Sequence, residues 1–258
     1  MPAEHGAWGI LLVPLVSTAL VAGGPRLPFL LLTGCAVGLL VLRGSWEPAA
    51  RKRNLFSREL VLLAGVTAAA AVILLFLYHR RQLLIIGGAG AILWTLQHQL
   101  AKRPPECSTE KRSLAAELLG ALLLTLSAPA AWIAQRGALS AEGVQIWLLN
   151  FLFFAGGVLY VKYRVRGVLA HRSFRSLRER AEFAWPVFAY HLLLALFLLA
   201  WIAANSLSAW VLAAFAPALL RAGGLLFQLG TKFPIKRLGW SEVGQALLFA
   251  VLLLMALR

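Results

Sequence analysis

Aspartate is absent from this sequence, and all ten acidic residues are glutamates. Charged residues of both signs make up only 14% of the chain, whereas a soluble globular domain carries roughly 25%. The chain has only two cysteines, Cys35 in an apolar stretch and Cys107 in a polar one. Neither a disulfide framework nor a cysteine zinc site is therefore expected, and the shortage of charge argues against a soluble protein.

Apolar residues dominate instead: 60% of the 258 residues are hydrophobic, and the mean hydropathy is +0.79. A helix needs roughly 17–25 mostly apolar residues to cross a bilayer. Because the apolar runs are continuous rather than alternating, they predict helices and exclude barrel strands. We expect an all-α polytopic bundle of about nine transmembrane helices, forming a single domain over residues 1–258. The predicted spans are 7–24, 27–43, 59–78, 82–99, 114–134, 143–161, 184–203, 207–228 and 241–257.

The positive charges predict the orientation of the chain. Of the 25 Lys and Arg residues, 20 fall on the side of the membrane that holds the N-terminus, and five fall on the other. Because short cytoplasmic loops are enriched in Lys and Arg, this asymmetry predicts an inner-membrane protein with its N-terminus in the cytoplasm and its C-terminus outside. The net charge of +15 thus reflects topology, and we expect the lipid bilayer rather than nucleic acid as the partner.

The longest polar stretch, Lys162 to Glu182, contains seven basic residues. Two interpretations of it stay open. Leu169, Phe174 and Leu177 could give a basic amphipathic helix on the cytoplasmic surface, or the stretch could be a solvated loop.

Polar side chains within the spans gather towards the predicted cytoplasmic side. A charged residue at mid-membrane costs about 2.5–3.5 kcal/mol on insertion scales, so such residues are candidates for function. Their distribution predicts a polar, basic cavity that opens to the cytoplasm and closes before the outer leaflet. The candidate ligand-binding residues are Glu4, His5, Glu117, Asn150, Lys162, Arg164, Arg166, His191, Arg221, Lys236 and Glu242.

Each candidate also has a structural explanation. Glu117 and Glu242 could favour the positive end of a helix dipole, and Arg221 could extend to the lipid headgroups. His191 and Asn150 could join helices by hydrogen bonds.

Glu4 and His5 are unusual because they precede the first apolar span, where Lys or Arg is common. We expect them at the mouth of the cavity, near Glu117, Arg221, Lys236 and Glu242, with one of the two hydrogen-bonded to another helix. The alternative is a mobile terminus.

Several stretches resemble the YwiC-like family of bacterial membrane proteins. The most specific is Glu4-His5-Gly6-Ala7-Trp8, followed by Leu12-Val13-Pro14. Other matching stretches are Glu117 to Gly120, NFLFFAGGVLYVKYRVR at 150–166, and APALLRAGG with KFPIKRLGWSE near the end. The resemblance covers most of the chain and implies a membrane protein.

A more distant resemblance is to the UbiA superfamily of intramembrane prenyltransferases, which also have nine helices and polar groups near the cytosol. That resemblance implies an isoprenoid diphosphate bound through Mg²⁺ on two Asp-rich motifs, in the loops after helices two and six. The first motif is replaced here by Asn54-Leu55-Phe56-Ser57-Arg58. In the second loop Glu179 and Glu182 lie among arginines. The absence of Asp therefore disfavours Mg²⁺ as a cofactor and a metal site.

Three functions remain open from the sequence. The first is a UbiA-like protein that binds an anionic or lipid-linked ligand, such as an isoprenoid, through Arg and Lys, with or without transferase activity. The second is a transporter of a small anionic metabolite. The third is a non-enzymatic membrane scaffold or assembly factor.

Overall fold

The computed structural model describes residues 5–24, 26–51, 58–102, 109–169, 174, 176–229 and 234–257. All regular structure within these ranges is helical. The α-helices are α1 (His5–Val21), α2 (Leu27–Arg51), α3 (Arg58–Val72), α4 (Leu83–Lys102), α5 (Thr109–Thr125), α6 (Ser127–Arg136), α7 (Ala141–Leu169), α8 (Leu177–Ala203), α9 (Val211–Gln228) and α10 (Ile235–Leu257).

These elements form nine helical rods in the described ranges, because two rods contain an internal irregularity. α3 continues into one turn of π-helix, Ile73–Leu77, and α5 is followed by α6 after the single residue Leu126. Eight of the rods are long and apolar enough to cross a membrane, and the remaining one, Gly6–Val21, is apolar but shorter. The prediction of an all-α multi-pass membrane protein is confirmed.

The break between α5 and α6 follows from Pro129. Proline has no backbone N–H, and its ring collides with the carbonyl four residues earlier. That carbonyl belongs to Thr125, which is the last residue of α5. The sequence therefore places the irregularity one turn before the proline, and the rod continues beyond it to Arg136.

The stretch expected as one long polar loop is shorter than predicted. α7 extends to Leu169 and α8 begins at Leu177. Lys162, Arg164 and Arg166 therefore lie within a helix rather than in a loop. The reason is that Lys162 pairs with Glu117 of α5 and Arg164 donates to a backbone carbonyl of α9.

The chain divides into two compact units. Unit 1 comprises the described residues of Met1–Trp94 and Leu123–Leu148, and unit 2 those of Thr95–Leu122 and Leu149–Arg258. The prediction of a single domain stays a prediction.

Unit 1 is built on the close approach of α1 to α6. Three alanines of α6 enter its core beside Leu15 of α1 and Leu74 of the π-helical turn. Small side chains let helices approach closely in membranes. The hydroxyl of Ser127 donates to the carbonyl of Leu11 at 2.8 Å, which joins the two helices directly. The three alanines are Ala130, Ala131 and Ala134.

Unit 2 packs around α7. Tyr160 and Tyr163 of α7 are buried against Val187 of α8 and Leu225 of α9. Deeper in unit 2, three rings form what we call the phenylalanine layer, Phe153, Phe215 and Phe249. Phe153 stacks on Phe249 with centroids 3.9 Å apart, and Phe215 meets Phe249 edge-on at 5.2 Å.

We expect Gly38→Leu to lower the free energy of unfolding by roughly 1–3 kcal/mol, the usual cost of overpacking. A Cβ atom at Gly38 of α2 would collide with Oγ1 of Thr67 in α3. Thr67 cannot move away without losing a hydrogen bond, because its hydroxyl donates to the carbonyl of Leu63 at 2.7 Å. Thermal unfolding in detergent measures the change.

Gly34→Leu is the matched control, since Gly34 lies one turn earlier in α2, is exposed, and has nothing within 4 Å of its added Cβ. Both variants gain the same helix propensity, so the difference between them isolates the collision. Equal stabilities would contradict the close contact between α2 and α3.

Candidate functional site

Three polar residues of α7, together with Gly157, lie on one face of the helix. Asn150, Gly157, Tyr160 and Arg164 are separated by seven, three and four residues, which places them in line along an α-helix. Asn150 is fully buried, and Tyr160 and Arg164 are 3% and 5% exposed. Lys162, 8% exposed, lies near the same end of α7. This part of α7 brings charge into the interior of unit 2.

Arg221 of α9 is the centre of the contacts around Tyr160. Its guanidinium donates to the carboxylate of Glu242 in α10. Its Cζ also lies 4.0 Å from the centroid of the Tyr160 ring, within the range of a cation–π contact. The Tyr160 hydroxyl in turn donates to Oε1 of Gln228 at 2.7 Å. Three helices are thus joined by one charged side chain.

Two further arginines bind the C-terminal end of α9. Arg164 donates to the backbone carbonyl of Gln228, and Arg180 of α8 donates to that of Leu226 at 3.1 Å. The last carbonyls of a helix lack partners within the helix and carry its negative dipole end. Cationic donors therefore satisfy the end of α9 both as hydrogen bonds and as charges.

Lys162 forms an ion pair with Glu117 of α5. Its ammonium lies 2.7 Å from the carboxylate, and the two side chains are 6% and 43% exposed. The lysine is therefore buried, while the glutamate reaches the surface. We call eight of these residues the polar cluster: Glu117, Tyr160, Lys162, Arg164, Arg180, Arg221, Gln228 and Glu242.

Two adjacent glycines of α7 let side chains from other helices approach its backbone. A Cβ on Gly156 would lie 3.2 Å from Nε2 of His191, and one on Gly157 would lie 3.5 Å from Oε2 of Glu242. Nδ1 of His191 lies 2.7 Å from the carbonyl of Val187. Because a carbonyl only accepts, Nδ1 donates to it, and Nε2 on the other side of the ring faces α7.

The phenylalanine layer lies one helical turn beyond this region. Phe153 precedes Gly157 by four residues, and Phe249 follows Gln245 by four. All three rings of the layer are buried. Within unit 2, the aromatic rings therefore separate the polar cluster from Asn150, which precedes Phe153 by three residues in α7.

The remaining predicted residues are less informative. Glu4 lies outside the described residues. His5 begins α1 and Lys236 lies in α10, and the side chains of these two residues are not described. Arg166 is half-buried in α7. The expected contact of Glu4 or His5 with another helix stays a prediction.

The segments that correspond to the Asp-rich motifs play other roles where they are described. Ser176 caps α8 by accepting from the backbone N–H of Glu179 at 3.2 Å, an N-cap arrangement. Glu182 pairs with Arg178 at 2.9 Å on an exposed face. Residues 52–57 lie outside the described ranges. Within the described ranges, no group of three or more His, Cys, Asp or Glu side chains could hold a metal ion.

Sequence reasoning missed Tyr160, Arg180 and Gln228. The signal for Tyr160 was present, since it lies ten residues after Asn150 and four before Arg164, and that spacing returns to the same helix face. Gln228 could not be singled out, because an uncharged residue at the end of an apolar span is common there.

Comparison with known proteins agrees with this description of a helical membrane protein. A sequence model described as YwiC-like protein matches residues 1–132. The chain is also 28% identical over 258 residues to "Uncharacterized protein YwiC" of Bacillus subtilis (strain 168), covering 96% of this chain and 94% of that protein. No solved structure matches the chain. This chain belongs to the YwiC-like family.

Proposed function

We propose that the protein is an inner-membrane protein that binds an anionic ligand, soluble or lipid-linked, at the polar cluster. The observation that carries the proposal is the surplus of buried positive charge. The cluster has four cationic side chains and two carboxylates. Buried charge is costly unless it is compensated, so an anion would stabilise this end of unit 2. Guanidinium and ammonium groups both bind phosphate oxygens directly.

The two carboxylates of the cluster support binding through basic residues rather than through Mg²⁺. Glu117 binds Lys162, and Glu242 binds Arg221. A magnesium site needs carboxylate or phosphate oxygens that face the ion, whereas these oxygens already face cations. We assign the ligand contacts to Lys162 and Arg164. The distant resemblance to the UbiA superfamily implies an isoprenoid diphosphate as the ligand.

The phenylalanine layer favours binding over transport through unit 2. A transported solute must pass the whole thickness of the helices, and transporters often use broken helices near the midplane. α7 and α10 are continuous where Phe153 and Phe249 lie, and those two rings stack against each other. A ligand bound at the polar cluster would therefore not pass the phenylalanine layer.

Lipid retention tests the proposal. We expect the full chain, purified in mild detergent, to retain dioleoyl phosphatidylglycerol over dioleoyl phosphatidylcholine by native mass spectrometry. Glycerol 3-phosphate at millimolar concentration distinguishes the source of the anion. Displacement of the lipid would identify a soluble anion as sufficient, and continued retention would identify a lipid-linked one. Equal retention of the two lipids would contradict the proposal.

Arg164→Ala should weaken this retention roughly tenfold or more, since a hydrogen bond to a charged group contributes about 1.5–3 kcal/mol. Arg178→Ala is the matched control, because it removes the same charge from an exposed side chain paired with Glu182. Retention should also survive EDTA. Loss on chelation with recovery in Mg²⁺ would show that glutamates assemble a metal site after all.

Reporter fusions test the orientation. We expect cytoplasmic signals from fusions near residues 105 and 170 and an external signal near residue 138, because the Lys and Arg residues are concentrated around the first two. A cytoplasmic signal at 138 would overturn the proposed topology without affecting the helical fold.

A further inference from the structure

Several buried polar atoms lack a hydrogen-bond partner in the part of the chain that the structure describes, and two of them are a complementary donor and acceptor near Glu242. These two are Nε of Arg221 and Oε1 of Gln245. The first can only donate and the second can only accept. An unsatisfied polar group in an apolar interior costs several kcal/mol, so both atoms require an occupant that the described protein groups do not supply.

The two atoms belong to one neighbourhood. Gln245 follows Glu242 by three residues in α10, and residues with that spacing are neighbours on a helix surface. Glu242 accepts from Nη1 of Arg221, which brings the guanidinium to the same face of α10. The orphaned donor and the orphaned acceptor therefore lie about one helical turn apart, at the inner edge of the polar cluster.

We propose that a hydroxyl group of the bound ligand occupies this position. A hydroxyl oxygen accepts from Nε–H of Arg221 while its hydrogen reaches Oε1 of Gln245, so one group satisfies both atoms. This inference rests on the proposed function and narrows it. The ligand class is an anionic lipid whose phosphate binds cationic side chains of the polar cluster and whose headgroup carries a free hydroxyl.

A pair of matched lipids tests the hydroxyl. Phosphatidylglycerol and phosphatidylethanol are both phosphodiesters with one negative charge, but only the first has hydroxyl groups in its headgroup. We expect the full chain to retain the dioleoyl form of phosphatidylglycerol roughly three- to tenfold better in direct competition, the range that one hydrogen bond supplies. Equal retention would overturn the hydroxyl and would indicate that water satisfies both atoms.

Gln245→Leu should abolish the preference between these two lipids while keeping retention of both above that of phosphatidylcholine. Gln245→Met serves as a second apolar replacement with a different shape. Gln99→Leu is the control, because it makes the same change at an exposed position of α4 and should keep the preference. A preference that persists in both Gln245 variants would overturn the assignment of the hydroxyl to this residue.

The outcomes separate the two proposals. If phosphatidylglycerol and phosphatidylethanol are retained equally but both exceed phosphatidylcholine, anion binding stands and the hydroxyl site falls. If neither exceeds phosphatidylcholine, the proposed function falls and the hydroxyl site falls with it.

Discussion

Glu242→Ala should lower the free energy of unfolding by about 3–5 kcal/mol, the usual cost of removing one partner of a buried ion pair. The variant leaves the guanidinium of Arg221, whose side chain is 12% exposed, without its carboxylate in an apolar interior. The contact of Arg221 with Tyr160 would remain, but a ring supplies only about 0.5–2 kcal/mol of attraction. SDS-induced or thermal unfolding of the purified protein measures the loss.

Two comparisons make this result specific. Glu182→Ala removes a carboxylate from the exposed pair with Arg178 and should cost less than about 1 kcal/mol. The double variant Arg221→Met with Glu242→Leu removes both charges, and it should recover most of the stability because well-packed apolar groups can replace a buried pair. A single variant as stable as Glu182→Ala would show that Arg221 reaches solvent or another anion.

The helical spans could be predicted because membrane thickness fixes the length of an apolar run. The predicted first turn of α2 and the end of α8 agree with the structure, at Leu27 and Ala203. The break before α6 lies one turn before Pro129, where a proline removes a backbone hydrogen bond, although Pro14, Pro186 and Pro217 lie within continuous helices. In each case the cause is local and lies within a few residues of the effect.

The predicted end of α7 was wrong for a non-local reason. A charged residue considered by itself predicts contact with water, so the sequence predicts that the span ends just before Lys162. In the structure, the charge is compensated by Glu117, which lies 45 residues away in the sequence. Arg164 is likewise satisfied by a carbonyl of α9. Hydropathy along one helix does not contain the partner that a charge finds on another.

Five of the residues singled out from the sequence belong to the polar cluster, and their role in binding stays a prediction. Glu117, Lys162, Arg164, Arg221 and Glu242 were singled out because charge is expensive in an apolar span, and the structure brings them together in unit 2. Their pairing was not predicted, and it changes the chemistry that the cluster offers. Carboxylates that bind cations in the protein are ligands for its own side chains, and it is the net positive charge of the cluster that would attract an anion.

Lys162→Met should weaken lipid binding while leaving the free energy of unfolding nearly unchanged. Methionine matches the length of the lysine stem and suits an apolar helix, so the free energy of unfolding should stay within about 1 kcal/mol of the wild-type value. Retention of phosphatidylglycerol should nevertheless fall about tenfold or more, because one of the two assigned cationic contacts is lost. Unfolding and native mass spectrometry on the same preparation give both values.

Glu117→Ala is the complementary variant, since it removes the partner and keeps the cation. Its cost should be roughly 1–3 kcal/mol, because the Lys162 side chain that loses its carboxylate is only 6% exposed, although Glu117 itself is 43% exposed. Retention of the anionic lipid should rise, because the positive charge of Lys162 is no longer offset by a carboxylate 2.7 Å away. If Lys162→Met and Glu117→Ala instead changed retention in the same direction, Lys162 would be a structural residue and the anion would bind elsewhere.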